Sequence, residues 1–176
     1  MRTLVLGGAR SGKSAFAEQL VGPGPVLYVA TARPHPSDVD FAQRIALHAQ
    51  RRPGSWMLDE KIDAQELLQE PHSIPVLVDD LGTWLSHATE QCGPQAWESE
   101  SPQLDAKITT LIDAISRYSG SDLVLVSPEV GMGIIPEYQS GRIFRDRIGT
   151  LNQDLAGVCE RVVFVVAGLP LELKTL

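Results

Sequence analysis

Gly7-Gly8-Ala9-Arg10-Ser11-Gly12-Lys13-Ser14 is the stretch on which the reading of this chain turns. It follows a short apolar run, Thr3–Leu6, and opens into Ser14–Leu20, which has helical composition and no breaker. Strand, glycine loop and helix in that order carry the Walker A spacing, Gly-x₄-Gly-Lys-Ser. Each residue type has a chemical reason. The glycines let backbone N–H groups curl around a phosphate, and the helix behind them turns its positive end toward it. Lys13 is placed to reach the β- and γ-phosphates, and the Ser14 hydroxyl is placed to bind Mg²⁺. Nucleoside triphosphate binding with Mg²⁺ is therefore expected, with Lys13 also a catalytic candidate.

Working outward, Gly22-Pro23-Gly24-Pro25 ends the first helix and Val26–Ala30 reads as a second, almost wholly apolar strand. Strands apolar on both faces belong to a parallel sheet covered by helices. Val39–Arg52 carries a helical stripe, Lys61–Gln69 reads as a further helix, and Ile74–Val78 as a third strand ending in Asp79-Asp80. Trp84–Glu90 continues as helix, Cys92–Pro102 as a polar loop and Leu104–Tyr118 as an amphipathic helix. The strand Leu123–Val126, the loop Pro128–Pro136, a helix from about Tyr138 to Cys159 and a fifth strand Arg161–Ala167 follow, with Gly168-Leu169-Pro170 as its end. This alternation predicts a single α/β domain over residues 1–176, with a mainly parallel sheet flanked by helices.

Composition narrows the partners. A net charge of −7 argues against general nucleic-acid affinity, which needs a basic field. No run approaches a membrane span, and Met1–Leu6 runs straight into the glycine loop without a signal peptide, so a cytoplasmic protein is expected. Cys92 and Cys159 stand far apart without metal-ligand spacing and read as two reduced thiols.

A P-loop enzyme needs an acid at the end of a neighbouring strand to hold the metal's water shell. Asp79 is that candidate, and Asp80 reads equally as a helix cap. Arg44, His48, Arg51 and Arg52 lie at i, i+4, i+7 and i+8 of the second helix, on one face. Such a ridge suits a triphosphate with a nucleophilic imidazole at its centre. It equally describes a solvated basic face with one incidental histidine. In the Glu129–Asn152 region, Gly131 and Gly133 suit a loop over a site, and Arg142, Arg145, Gly149 and Asn152 share a helical face, with Gly149 expected to permit close approach. A polar seam between helices or subunits accounts for the same residues.

With these residues in hand, the chain resembles the bifunctional adenosylcobinamide kinase / adenosylcobinamide-phosphate guanylyltransferase family of cobalamin biosynthesis. The resemblance runs through the Walker A segment, Tyr28-Val29-Ala30-Thr31, Arg44-Ile45 with His48, Arg52-Pro53, Trp56 and Glu60. It continues through Asp79-x-Leu81, Trp84-Leu85, Glu129-Val130-Gly131-Met132-Gly133-Ile134-Ile135-Pro136, Arg142-x-Phe144-Arg145-Asp146, Asn152-Gln153 and Val165-Val166-Ala167-Gly168-Leu169-Pro170. It implies a RecA-like P-loop NTPase fold and two reactions. One phosphorylates adenosylcobinamide with ATP or GTP; the other moves GMP from GTP onto the resulting phosphate through a guanylylated histidine, here His48. Arg51 and Arg52 would then neutralise the triphosphate. Thr31, Ala32 and Arg33, at the carboxyl edge of the sheet where α/β ligands collect, join the candidate nucleotide site. Glu60 matches a nucleotide-binding position of the family and reads equally as a helix N-terminal acid. The resemblance also implies a homo-oligomer, usually a trimer.

The chain departs from the family in having Ser127-Pro128 before Glu129, and Asp80 and Gly82 where a thiol and a threonine are common. Two rival readings differ in class. A small-molecule P-loop kinase would form no GMP adduct. A nucleotide switch serving a protein partner would carry an Asn-Lys-x-Asp segment, but the single asparagine, Asn152, is followed by Gln153.

Overall fold

The structure, a computed structural model, describes residues 1–32 and 53–176. The helix read over Val39–Arg52 and the candidate residues Arg33, Arg44, His48, Arg51 and Arg52 lie outside the described residues. The described strands are β1 (Arg2–Gly7), β2 (Leu27–Ala30), β3 (Met57–Asp59), β4 (Val76–Asp79), β5 (Leu123–Pro128), β6 (Arg161–Val166) and β7 (Leu169–Thr175). The described helices are α1 (Lys13–Val21), α2 (Ala64–Leu67), α3 (Leu81–Gln91), α4 (Pro102–Arg117) and α5 (Gln139–Val158), with a 3₁₀ turn at Pro94–Trp97.

The strands form one seven-stranded sheet in the order β3-β2-β4-β5-β1-β6-β7. All pairs are parallel except β6 with β7. Alternation along each strand feeds two apolar layers, as expected of a sheet covered on both faces. Leu4, Val29, Val76, Val78, Leu123, Leu125 and Val162 pack with α2–α5. Val5, Tyr28, Leu77, Val124, Val126, Val163 and Val165 pack with α1. No described helix is long and apolar enough to cross a membrane. Both cysteines are unbridged, and burial pushes the Cys159 thiol up to about 12.

Several boundaries differ from those read in the sequence. Helix α3 begins at Leu81 rather than Trp84, because the Asp80 carboxylate accepts from the Thr83 backbone N–H at 2.8 Å and caps it. Gly82 in its first turn leaves room for the Pro128 ring, since a Cβ there would stand 2.6 Å from Pro128 Cγ. The helix expected at Lys61–Gln69 contracts to one turn, since Asp59 Oδ1 accepts from the N–H groups of Lys61 and Ile62 and holds them in a turn. Ser101 caps α4, with Pro102 at its first position.

Two strands escape the sequence reading. β3 has three residues, two of them exposed. β7 was hidden behind Gly168-Leu169-Pro170, where the fifth strand does end but a second hairpin arm begins at Leu169. Ala167 and Gly168 have φ of 52° and 79°, the two-residue turn that suits the right-handed twist of paired strands. Pro170 is tolerated because β7 is an edge strand.

Candidate active site

Six strands run parallel, so their carboxyl ends deliver six loops to one edge of the sheet. The connection leaving β1 runs to β2 on one side, and that leaving β5 runs to β6 on the other. Ligands of open α/β sheets collect at such a divergence. The glycine loop lies there, directly after β1.

Its geometry explains its composition. A Cβ on Gly7 would stand 2.8 Å from the Val165 carbonyl oxygen and closer still to Ser11 Oγ, so only glycine fits against β6. Gly12, with φ of 94°, would place a Cβ 3.1 Å from Gly168 Cα. The loop is braced by its neighbours: the Gly168 N–H donates to Ser11 O at 2.7 Å and the Glu129 N–H to Gly7 O at 3.0 Å. Arg10 has φ of 57°, which completes the tight curl. Gly8 has open space beside it, and Ala9 and Arg10 are exposed. Lys13 and Ser14 open α1, whose first N–H groups have no intrahelical partner and face the loop's concavity.

Across from α1 stands Asp79, buried at the end of β4. Ser14 Oγ donates to Asp79 Oδ1 at 3.2 Å, and the Tyr28 hydroxyl donates to Asp79 Oδ2 at 2.7 Å. Tyr28 is itself stacked on Trp56, with ring centroids 6.0 Å apart. A hydroxyl and a carboxylate held this way are oxygen donors suited to Mg²⁺, which takes one or two protein ligands beside phosphates and water. Asp80 is drawn in a different direction. Its carboxyl is pushed above the usual carboxylate range by burial first and by the Asp79 charge second, against the pull of its hydrogen bonds to Thr83 and of Lys13. Its carboxylate serves the helix cap by accepting from the Thr83 N–H and hydroxyl.

Thr31 is buried, and its hydroxyl donates to the Asp80 carbonyl at 2.6 Å and meets the Thr83 hydroxyl. The side chain thus fastens the end of β2 to the start of α3, with Ala32 beside it. Glu60 follows β3 at the same edge and is exposed. The structure therefore brings the glycine loop, Ser14, Asp79, Thr31, Ala32 and Glu60 to one edge. Tyr28 was missed as a site residue; a lone hydroxyl in a strand otherwise apolar was its signal.

The region after β5 resolves into distinct parts. Asn152 is buried; it accepts from Ser127 Oγ and donates through Nδ2 to the Pro128 carbonyl at 3.0 Å. Arg145 donates to the Gly131 carbonyl at 2.6 Å, and Arg142 to the carbonyls of Pro136 and Glu137 at 3.0 and 2.6 Å. These three residues of α5 shape the loop 129–138. Among the described residues, none comes within 4 Å of where a Cβ on Gly149 would stand, so no close approach within the chain is seen there.

Residues 3–173 match the family model described as cobinamide kinase / cobinamide phosphate guanyltransferase. The chain is 38% identical over 179 residues to the bifunctional adenosylcobalamin biosynthesis protein CobP of Pseudomonas aeruginosa, covering 99% of this chain and 98% of that one. It is 38% identical over 188 residues to the bifunctional adenosylcobalamin biosynthesis protein CobU of Escherichia coli K12, covering 99% and 100%.

Among solved structures, a type III secretion system ATPase of pathogenic bacteria superposes with a TM-score of 0.55 at 10% identity, covering 97% of this chain and 56% of that one. The ATPase EscN of enteropathogenic E. coli superposes at 0.52 and 11%, covering 94% and 43%. The chain spans about half the length of these ATPases, and at such identity they speak for the P-loop fold alone. With a family match over nearly its whole length and relatives matched end to end, the chain belongs to the cobinamide kinase / cobinamide phosphate guanyltransferase family.

Proposed function

We propose that this bifunctional kinase and guanylyltransferase works as a single cytoplasmic P-loop domain that uses one nucleotide edge for both reactions. The observation that carries the reading is the glycine loop braced against Gly168 and Glu129, with Ser14 facing Asp79 across it. In the first reaction the hydroxyl of adenosylcobinamide attacks the γ-phosphorus of ATP or GTP. The bond to the β-bridging oxygen breaks, the nucleoside diphosphate leaves, and the hydroxyl proton is lost. Backbone N–H groups of Gly7–Ser14 and the Lys13 ammonium hold the phosphates and take up the charge that develops on them. Ser14 and Asp79 would hold Mg²⁺, which when bound neutralises phosphate charge. Tyr28 fixes the Asp79 carboxylate in the rotamer that faces Ser14.

In the second reaction His48 attacks the α-phosphorus of GTP and pyrophosphate leaves. An oxygen of adenosylcobinamide phosphate then displaces the histidine, giving adenosylcobinamide-GDP. Arg51 and Arg52 neutralise the triphosphate, while Thr31, Ala32, Arg33 and Glu60 line the nucleotide's other side. The family resemblance supports these assignments, together with the position of Ala32 just after the end of β2, at the carboxyl edge of the sheet. The active form is a homo-oligomer, expected as a trimer, which sedimentation velocity measures.

Intact-protein mass after incubation with Mg²⁺ and GTP tests the histidine. The wild type should gain one GMP in acid-labile linkage, and His48→Ala should gain none. A GTP-binding wild type without the adduct overturns the intermediate and leaves phosphoryl transfer as the chemistry this edge performs.

A further inference from the structure

The loop 129–138 presents an unusual surface. Met132, Ile134, Ile135 and Tyr138 are 81, 96, 70 and 77% exposed, with Val130 beside them at 36%. A single exposed apolar side chain needs no explanation, but five within nine residues form a patch of the kind that marks a binding surface.

This patch is held in place. Arg145 and Arg142 clamp its backbone carbonyls from α5, Glu129 Oε1 accepts from the Gly131 N–H, and the root is tied to the glycine loop through the Glu129 N–H. The polar groups of the loop are spent on its own shape, which leaves the apolar side chains facing outward. The loop also leaves the sheet beside the phosphate site, because Pro128 lies in register with Gly7 on the adjacent strand.

We propose that this patch docks the macrocycle of the cobinamide acceptor. The inference rests on the kinase reading above. A phosphoryl acceptor must bring its hydroxyl to the γ-phosphate, so the rest of the molecule is confined to a short tether's reach of the glycine loop. The triphosphate demands cations, and residues 129–138 carry no Lys, Arg or His. A large ring with apolar faces demands a surface of this chemistry at this distance. Of the loop's two carboxylates, that of Glu129, at its root, is turned onto the Gly131 N–H. Met132, Ile134 and Ile135 are thus specificity-determining residues for the acceptor and not for the nucleotide.

The test uses the full chain with Met132→Ser, Ile134→Ser and Ile135→Ser combined, and separately with Leu173→Ser, an exposed apolar residue of β7 outside the patch. Because these side chains are exposed, thermal stability should be unchanged. Steady-state phosphorylation of cobinamide should show KM for cobinamide raised about tenfold or more in the triple variant, as loss of buried apolar contact requires. KM for the nucleotide should hold, and Leu173→Ser should leave both KM values unchanged. A cobinamide KM within about twofold of wild type overturns the proposal. So does a smaller particle in sedimentation velocity with both KM values altered, which would assign the patch to contact with a second copy of the chain. A wild type that binds nucleotide but never phosphorylates cobinamide overturns the kinase reading itself, a result distinct from either of these.

Discussion

Tyr28 shows how much of the site one hydroxyl governs. It is buried in the α1-side core, stacked on Trp56, and spends its hydroxyl on Asp79. A hydrogen bond to a charged acceptor contributes about 1.5–3 kcal/mol, so Tyr28→Phe should lower stability by about 2 kcal/mol in urea unfolding. It should also loosen the Asp79 rotamer and raise the Mg²⁺ concentration for half-maximal kinase activity several-fold, while the apolar packing persists. Unchanged stability together with an unchanged Mg²⁺ requirement would show that the hydroxyl does not orient the carboxylate. Lys13 belongs to the other half of the same machinery. Lys13→Ala should lower kcat about 10²–10³-fold without unfolding the protein, the usual cost of deleting one charge-stabilising group. A kcat near wild type would remove Lys13 from the reaction.

The β6–β7 hairpin supports the glycine loop from outside it, because the Gly168 N–H donates to Ser11 O. Its turn places Ala167 in the left-handed region, which costs a residue with a Cβ about 1–2 kcal/mol and which asparagine visits more readily. Ala167→Asn should therefore raise the unfolding free energy by about 0.5–1 kcal/mol, read from the denaturant midpoint; a lower midpoint would show that the turn holds no such strain. This element was also where sequence reading failed. Its signals are one non-glycine residue in a glycine-like conformation and a proline on an edge strand, and both argue locally against a strand. The three residues of β3 are too few for any period to register. The buried strands and α4 were legible because two-sided burial and a 3.6-residue stripe leave long apolar patterns. The glycine loop was legible because phosphate geometry tolerates few sequences. The clamp by Arg142 and Arg145 was not, since both grip backbone carbonyls and no side-chain partner betrays them.

At the scale of the molecule the two edges of the sheet have divided labour. The carboxyl edge carries a tightly curled glycine loop, a pair of adjacent carboxylates and exposed apolar residues, features that function requires and stability does not. The amino edge carries fastenings. Arg2 at the start of β1 pairs with Glu160 just before β6 and donates to the carbonyls of Ile115 and Ser116 at the end of α4. The Leu176 N–H returns to the Glu160 carbonyl at 3.1 Å, so the Arg2–Glu160 pair ties β1, α4, the start of β6 and Leu176 together. The hydrogen bond from Arg2 holds the Glu160 carboxyl down at about 2. A carboxyl whose folded pKa lies below its unfolded value stabilises the folded state at pH above the unfolded pKa of about 4.3, and that stabilisation fades as pH falls toward 2. Glu160→Gln should therefore destabilise the protein at pH 7 by about 1 kcal/mol, a figure reduced for the partly exposed pair's solvent screening. The gap between wild type and variant should narrow steadily as unfolding is measured at pH 5, 4 and 3. An equal gap at pH 7 and pH 3 would mean that the neutral amide fails for reasons of packing, and that the Arg2–Glu160 charge pair adds nothing to holding the amino edge together.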